Sequence, residues 1–139
     1  MGKKAVQPEL IQYVFDASSL INIERSRSMG VLRSVKGAIL IPEEVAGEVN
    51  VPGSPLRRFI VAYPDVVTPF VSVGERHEYL GFCSQLRVIH KGEASAMAIA
   101  LSRNKILVID EKETRATGKA REHGINVLSS QEFVRRHSG

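Results

Sequence analysis

Cysteine occurs once in the 139-residue chain, at Cys83. An intramolecular disulfide and a thiolate zinc cluster are therefore excluded, and the count suits a reducing, cytoplasmic setting. No apolar run approaches the ~20 residues of a membrane span. The opening MGKKAVQPEL has two lysines but no apolar core, which argues against a secretory leader. Glycine-rich phosphate loops are missing: there is no G-x-G-x-x-G, and TGKA at 117–120 lacks the earlier glycine of a P-loop. His77, His90, His123 and His137 are scattered without H-E-x-x-H spacing and read as surface residues. There is no internal repeat and no low-complexity segment.

What remains is an ordinary soluble composition, 43% apolar and 24% charged, with a net charge of +4. One domain is expected over residues 11–139, behind a flexible lead-in at 1–10. The sequence pI of about 9.5 favours an acidic partner such as nucleic acid.

Short apolar runs at 12–15, 38–41, 66–72, 106–109 and 126–128 read as strands, the third interrupted by Pro69. Helical patterns lie between them. GEASAMAIALSRN is the clearest, with Ala94, Met97, Ala98 and Leu101 on one face. Serine 18 or 19 is placed to cap the helix after the first strand, and Pro42 suits the first turn of another. Helices alternating with buried strands predict an α/β protein with a mainly parallel sheet. In such sheets strand C-termini and helix N-termini share one edge, where ligands bind.

Acids recur at that edge. Asp16 follows YVF and Asp110 follows ILVI, so each ends a strand. Glu93 lies in the first turn of the Ala-rich helix, whose N-terminus belongs to the same edge. Glu48 borders the stripe Ile41, Val45 and Val49, from which it can look inward. Taken singly, each acid has an ordinary structural reading as a helix cap, a turn former or a partner of the helix dipole. Gathered together, they repel one another unless a hard cation such as Mg²⁺ or Mn²⁺ shares them. Two such ions roughly 4 Å apart suit in-line phosphoryl displacement.

Four pieces in order, YVFDASSLI, IPEEVAGEV, GEASAMAIA and ILVIDEKETR, resemble a PIN-domain protein across about residues 11–130. The resemblance implies a five-stranded parallel sheet, ordered 3-2-1-4-5 and flanked by helices. It implies a Mg²⁺- or Mn²⁺-dependent endoribonuclease, with Asp16, Glu48, Glu93 and Asp110 as metal-binding acids. Ser18 would hydrogen-bond an acid or a metal-bound water. Many short members are toxins of type II toxin–antitoxin pairs, homodimeric and inhibited by an antitoxin protein. After Asp110 the chain departs from the commonest pattern: DEKETR offers Glu111 and Glu113, and the residues do not choose between them.

Arg115 and Lys119 lie four apart after Asp110 and are the first choice for RNA phosphate contacts; Arg121 is among the further candidates. Two other chemistries fail on residues. An aspartyl phosphatase needs a second aspartate two places after the first, where Ser18 stands, and the paired acids of a receiver domain are missing. The alternative function is a catalytically inactive PIN-fold module that binds RNA or protein.

Overall fold

The structure, a computed structural model, describes residues 11–85, 90–110 and 116–138. The lead-in expected at 1–10 lies outside them. Five strands form one sheet: β1 (Tyr13–Phe15), β2 (Ile39–Pro42), β3 (Val67–Thr68), β4 (Ile106–Val108) and β5 (Val127–Leu128). All pairings are parallel and the order is β3-β2-β1-β4-β5, as the resemblance implied. β3 is shorter than the 66–72 run because Pro69 has no N–H to donate to the ladder.

The helices are α1 (Ala17–Arg25), α2 (Met29–Ser34), α3 (Glu43–Glu48), α4 (Pro55–Ala62), α5 (Val73–Cys83), α6 (Lys91–Arg103), α7 (Ala116–Glu122) and α8 (Ser130–His137). Among the described residues none is long and apolar enough to cross a membrane. Pro42 closes β2 and stands just before α3 rather than inside it.

Alternation along β1 divides the core between the two faces of the sheet. Tyr13 and Phe15 face α1, α2, α4 and α8, packing with Leu20, Ile23, Leu32, Phe59 and Phe133. Val14 faces the other way, with Leu107 and Ile109, onto Met97, Ile99, Phe82 and Ala120. Phe133 sets its ring edge-on to Phe15, centroids 4.9 Å apart, and both are fully buried. Truncating either to alanine would cost about 3–5 kcal/mol.

α6 is the central helix of the second face. From Gly92 to Ala100 every residue is buried, not only the stripe at Ala94, Met97, Ala98 and Leu101. Its alanines leave room for α5, α3 and the sheet to approach from several sides. Glu75 of α5 fastens this packing. Its carboxylate takes Arg103 Nε at 2.5 Å and Arg103 Nη2 at 3.0 Å, while Arg103 also donates to the Pro69 carbonyl. Asn104, at φ 54°, turns the chain out of α6 and lets Lys105 N bond the Ala100 carbonyl before β4 begins.

The chain builds β1, β2 and β3 in one direction, then returns to add β4 and β5 on the other side of β1. The strand order therefore reverses between β1 and β4. The crevice outside their C-terminal ends is where an open α/β sheet offers a site.

Candidate functional site

Asp16 stands at that crevice. Its N–H donates to the Val108 carbonyl at 3.2 Å, carrying the β1–β4 pairing one residue past the strand. Its side chain caps α1: Oδ1 accepts from Ser19 N at 3.0 Å. Asp16, rather than either serine, is thus the cap. Ser18 Oγ reaches both carboxylate oxygens, at 3.0 and 2.8 Å. Asp16 is only 2% exposed, and burial pushes its pKa up from 3.8 to about 6. The hydrogen bonds from Ser19 and Ser18 oppose that rise, and the neighbouring Asp110 charge adds to it.

A cavity of ≈ 240 Å³ opens in front of Asp16, with Ser18, Glu48, His90 and Glu93 around it and Ala17 and Ile21 as its apolar part. Glu93 is buried, and its Oε1 accepts from His90 N at 2.8 Å, which fixes the carboxylate at the start of α6. Glu48 is the last residue of α3, a helix of six residues, and is exposed. Its carboxyl lies against Gly92, where an added Cβ would come within 1.9 Å of Oε1. The absence of a side chain at Gly92 is what lets Glu48 lie there. Partial burial, then the Glu44 charge, hold the Glu48 pKa above its usual value, while His90 opposes them.

Asp110 is placed differently. It follows Ile109, two residues beyond β4, and its own N–H donates to Ser18 Oγ at 3.3 Å. Its carboxylate turns away from the first cavity. Oδ2 accepts from Asn22 Nδ2 at 2.8 Å, Oδ1 accepts from Ser130 N at 2.7 Å, and Ser130 Oγ donates to Oδ2 as well. It lines a second cavity, of ≈ 760 Å³, between α1, α7 and α8. Ser18 is the hinge between the two carboxylates, giving its proton to Asp16 and accepting from Asp110.

The structure thus gathers Asp16, Ser18, Glu48 and Glu93 round one cavity and sets Asp110 at its flank. Glu111, Glu113 and Arg115 lie outside the described residues. Lys119 pairs with Glu122 at 3.7 Å and lines neither cavity, whereas Arg121 lines the larger one. Three contributors escaped the sequence reading. His90 lines the acidic cavity, and Asn22 and Ser130 hold Asp110. Asn22 had a signal: it lies four residues after Ser18, on the same face of α1, and both touch Asp110.

The donor set can be tested against a divalent cation. Among the described residues no group of three histidine, cysteine or acidic side chains is arranged as a metal cage. Mg²⁺ does not require one, because it keeps several waters and takes one or two carboxylates together with substrate phosphate. The available oxygens are hard carboxylate donors, Asp16 is costly to ionise without a nearby cation, and no lysine or arginine forms an ion pair with Asp16 or Glu48 among the described residues. The residues fit the group.

A PIN domain family model matches residues 12–130. No curated protein matches the chain. Among the solved structures that share the fold are two that are covered almost end to end. One is VapBC-1 from nontypeable Haemophilus influenzae, at TM-score 0.60 and 14% identity, covering 87% of this chain and 99% of that one. The other is PAE2754 from Pyrobaculum aerophilum, at TM-score 0.57 and 13% identity, covering 92% and 97%. With the sheet order, the crevice at β1 and β4 and the family match over residues 12–130, the chain belongs to the PIN-domain family.

Proposed function

We propose that this protein is a Mg²⁺- or Mn²⁺-dependent endoribonuclease that hydrolyses RNA phosphodiesters, of the toxin type and held in check by an antitoxin protein. Homodimeric assembly and a cytoplasmic setting belong to the same reading. The observation that carries it is the cavity at the strand-order reversal, where Asp16, Glu48 and Glu93 meet without a lysine or arginine ion-paired to Asp16 or Glu48 among the described residues. The family match and the fold likeness to VapBC-1 support it.

Asp16, Glu48 and Glu93 would hold the ion, with Asp110 at the flank. When bound, the ion supplies charge neutralisation for the phosphate and an activated water. The chain's own part is positional. Ser18 and Ser19 N fix the Asp16 carboxylate, so its oxygens do not reorganise during the reaction. His90 N fixes Glu93. Glu48, exposed and hydrogen-bonded to nothing among the described residues, is free to follow the ligand. Burial around Asp16 keeps bulk water from screening the charges.

Cleavage of a labelled single-stranded RNA, with and without Mn²⁺, tests this reading against Asp16→Asn, Glu48→Gln and Glu93→Gln. Mn²⁺-dependent cutting that all three substitutions abolish is the expected result. Cutting that survives in EDTA, or in the triple variant, contradicts it. RNA binding with no cleavage under any metal would favour the inactive binding module instead.

A further inference from the structure

The ≈ 760 Å³ cavity beyond Asp110 has no part in the chemistry described so far. Its volume is within the ~300–1,000 Å³ usual for small-molecule pockets. Two acids reach it, and both are already engaged. Asp110 is held by Asn22 and Ser130, and Glu132 Oε1 accepts from Ser129 N at 2.9 Å. The guanidinium of Arg121, from α7, forms no ion pair among the described residues, and the side-chain amide of Gln131 has no hydrogen bond there. The rest of the polar wall is hydroxyl and amide, including Ser28.

The wall thus carries two hydrogen-bonded carboxylates and one guanidinium. The groups free to take a ligand among the described residues are that guanidinium, a side-chain amide and hydroxyls, a set that suits a phosphate at Arg121 carrying a polar ring system, not an apolar peptide. Asp110 forms a wall of this cavity, and Ser18, which its N–H touches, lines the acidic one. A strand whose phosphate lies at the acidic cavity can pass this boundary with its next residue. We propose that the larger cavity holds one nucleotide of the RNA strand adjoining the scissile phosphate. Arg121 meets its phosphate, and Gln131 and Ser28 meet its sugar and base edges, so this cavity sets where the strand is cut. Sequence-specific readers of single-stranded RNA work in this way, through hydrogen bonds to splayed base edges. The inference rests on the nuclease reading for its scissile phosphate.

Binding and cleavage are measured separately. In the first experiment, each of the four nucleoside 5′-monophosphates is titrated into the full-length Asp16→Asn protein without divalent metal and followed by amide chemical shifts. Shifts centred on Asn22, Ser28, Arg121 and Gln131 are expected, with one base preferred and affinity falling about 10-fold in an added Arg121→Ala. In the second, Arg121→Ala and Gln131→Ala, made at exposed positions, are assayed on RNA of randomised sequence. Arg121→Ala should raise KM about 10-fold, the loss appearing in KM rather than kcat, and Gln131→Ala should change the preferred cut site. Shifts confined to the acidic cavity, or unchanged KM and cut site in both variants, overturn the proposal. If nucleotides bind here but the wild-type protein cuts nothing, the nuclease reading fails and the nucleotide site stands. If RNA is cut and nucleotides bypass this cavity, the subsite alone fails.

Discussion

Asp16 and Asp110 end neighbouring strands at the same edge of the sheet, yet the fold treats them in opposite ways. Asp16 is 2% exposed, and burial outweighs its hydrogen bonds, so its charge is expensive. Asp110 is half-buried and takes two side-chain donors and one backbone donor, from α1 and α8. Topology places both residues, but the number of donors and the depth of burial decide what each can do. Asp110 works as a latch between α1 and α8. Asp16, whose hydrogen bonds only partly offset its burial, keeps a costly charge at the mouth of a cavity, as a cation-binding carboxylate would.

Exchanging the Asp16 carboxylate for its amide separates the two roles most cleanly. Asp16→Asn should lower Mn²⁺-dependent RNA cleavage by at least about 100-fold, read from single-turnover rates. A loss of under about threefold would remove Asp16 from the chemistry.

Next in size is the pH dependence of stability. The folded-state pKa of Asp16, about 6, lies above its ordinary 3.8, so the folded protein holds the proton more tightly than the unfolded chain. The resulting stability is fully present below pH ~4 and is lost as pH rises through about 6, by roughly 3 kcal/mol in total. Urea unfolding without divalent metal, compared between wild type and Asp16→Asn, should therefore show the variant gaining on the wild type from pH 4 to 7. Adding Mg²⁺ should shrink the gap. A constant difference across that range would show that burial does not set the behaviour of Asp16.

Asp110→Ala should cost about 1–2 kcal/mol of stability by leaving the buried Ser130 without its acceptor, whereas Asn22, at the surface, turns to water. The change in urea midpoint measures it, and a change below about 0.5 kcal/mol would deny the latch. Gly92→Ala sharpens the picture from the Glu48 side. The new methyl must displace the Glu48 carboxyl, which is free to move, while alanine favours the helix by up to ~1 kcal/mol. Stability should hold or rise slightly while Mn²⁺ affinity, by calorimetry, falls severalfold. Lys119→Ala gives the smallest effect, within about 0.5 kcal/mol, because its ion pair with Glu122 is solvent-exposed. Weaker RNA binding by this variant than by Arg121→Ala would restore Lys119 as the phosphate contact.

Much of the fold was legible in the sequence. Apolar runs and intervening helical patterns located the five strands, and acids at the ends of two strands and the start of a helix marked the edge. Periodicity could not report what lies opposite a face. The stripe on α6 was seen, but not its burial all round, because alanine and glycine mark no side as interior. The orientation of Asp110 depends on Asn22, 88 residues away, and on Ser130, 20 residues away. Only the folded chain brings those donors to it. Glu48 was expected to border the Val45 stripe and look inward; in the structure it is the last residue of its helix and lies exposed against Gly92, a contact that periodicity does not report.

The most direct measurement is anomalous diffraction at the manganese edge from crystals soaked in Mn²⁺. The predicted result is a peak inside the ≈ 240 Å³ cavity, within bonding reach of Asp16 and of Glu48 or Glu93, and missing in Asp16→Asn. A well-occupied peak elsewhere on the molecule, with the cavity empty, would contradict the assignment of these acids to a shared ion.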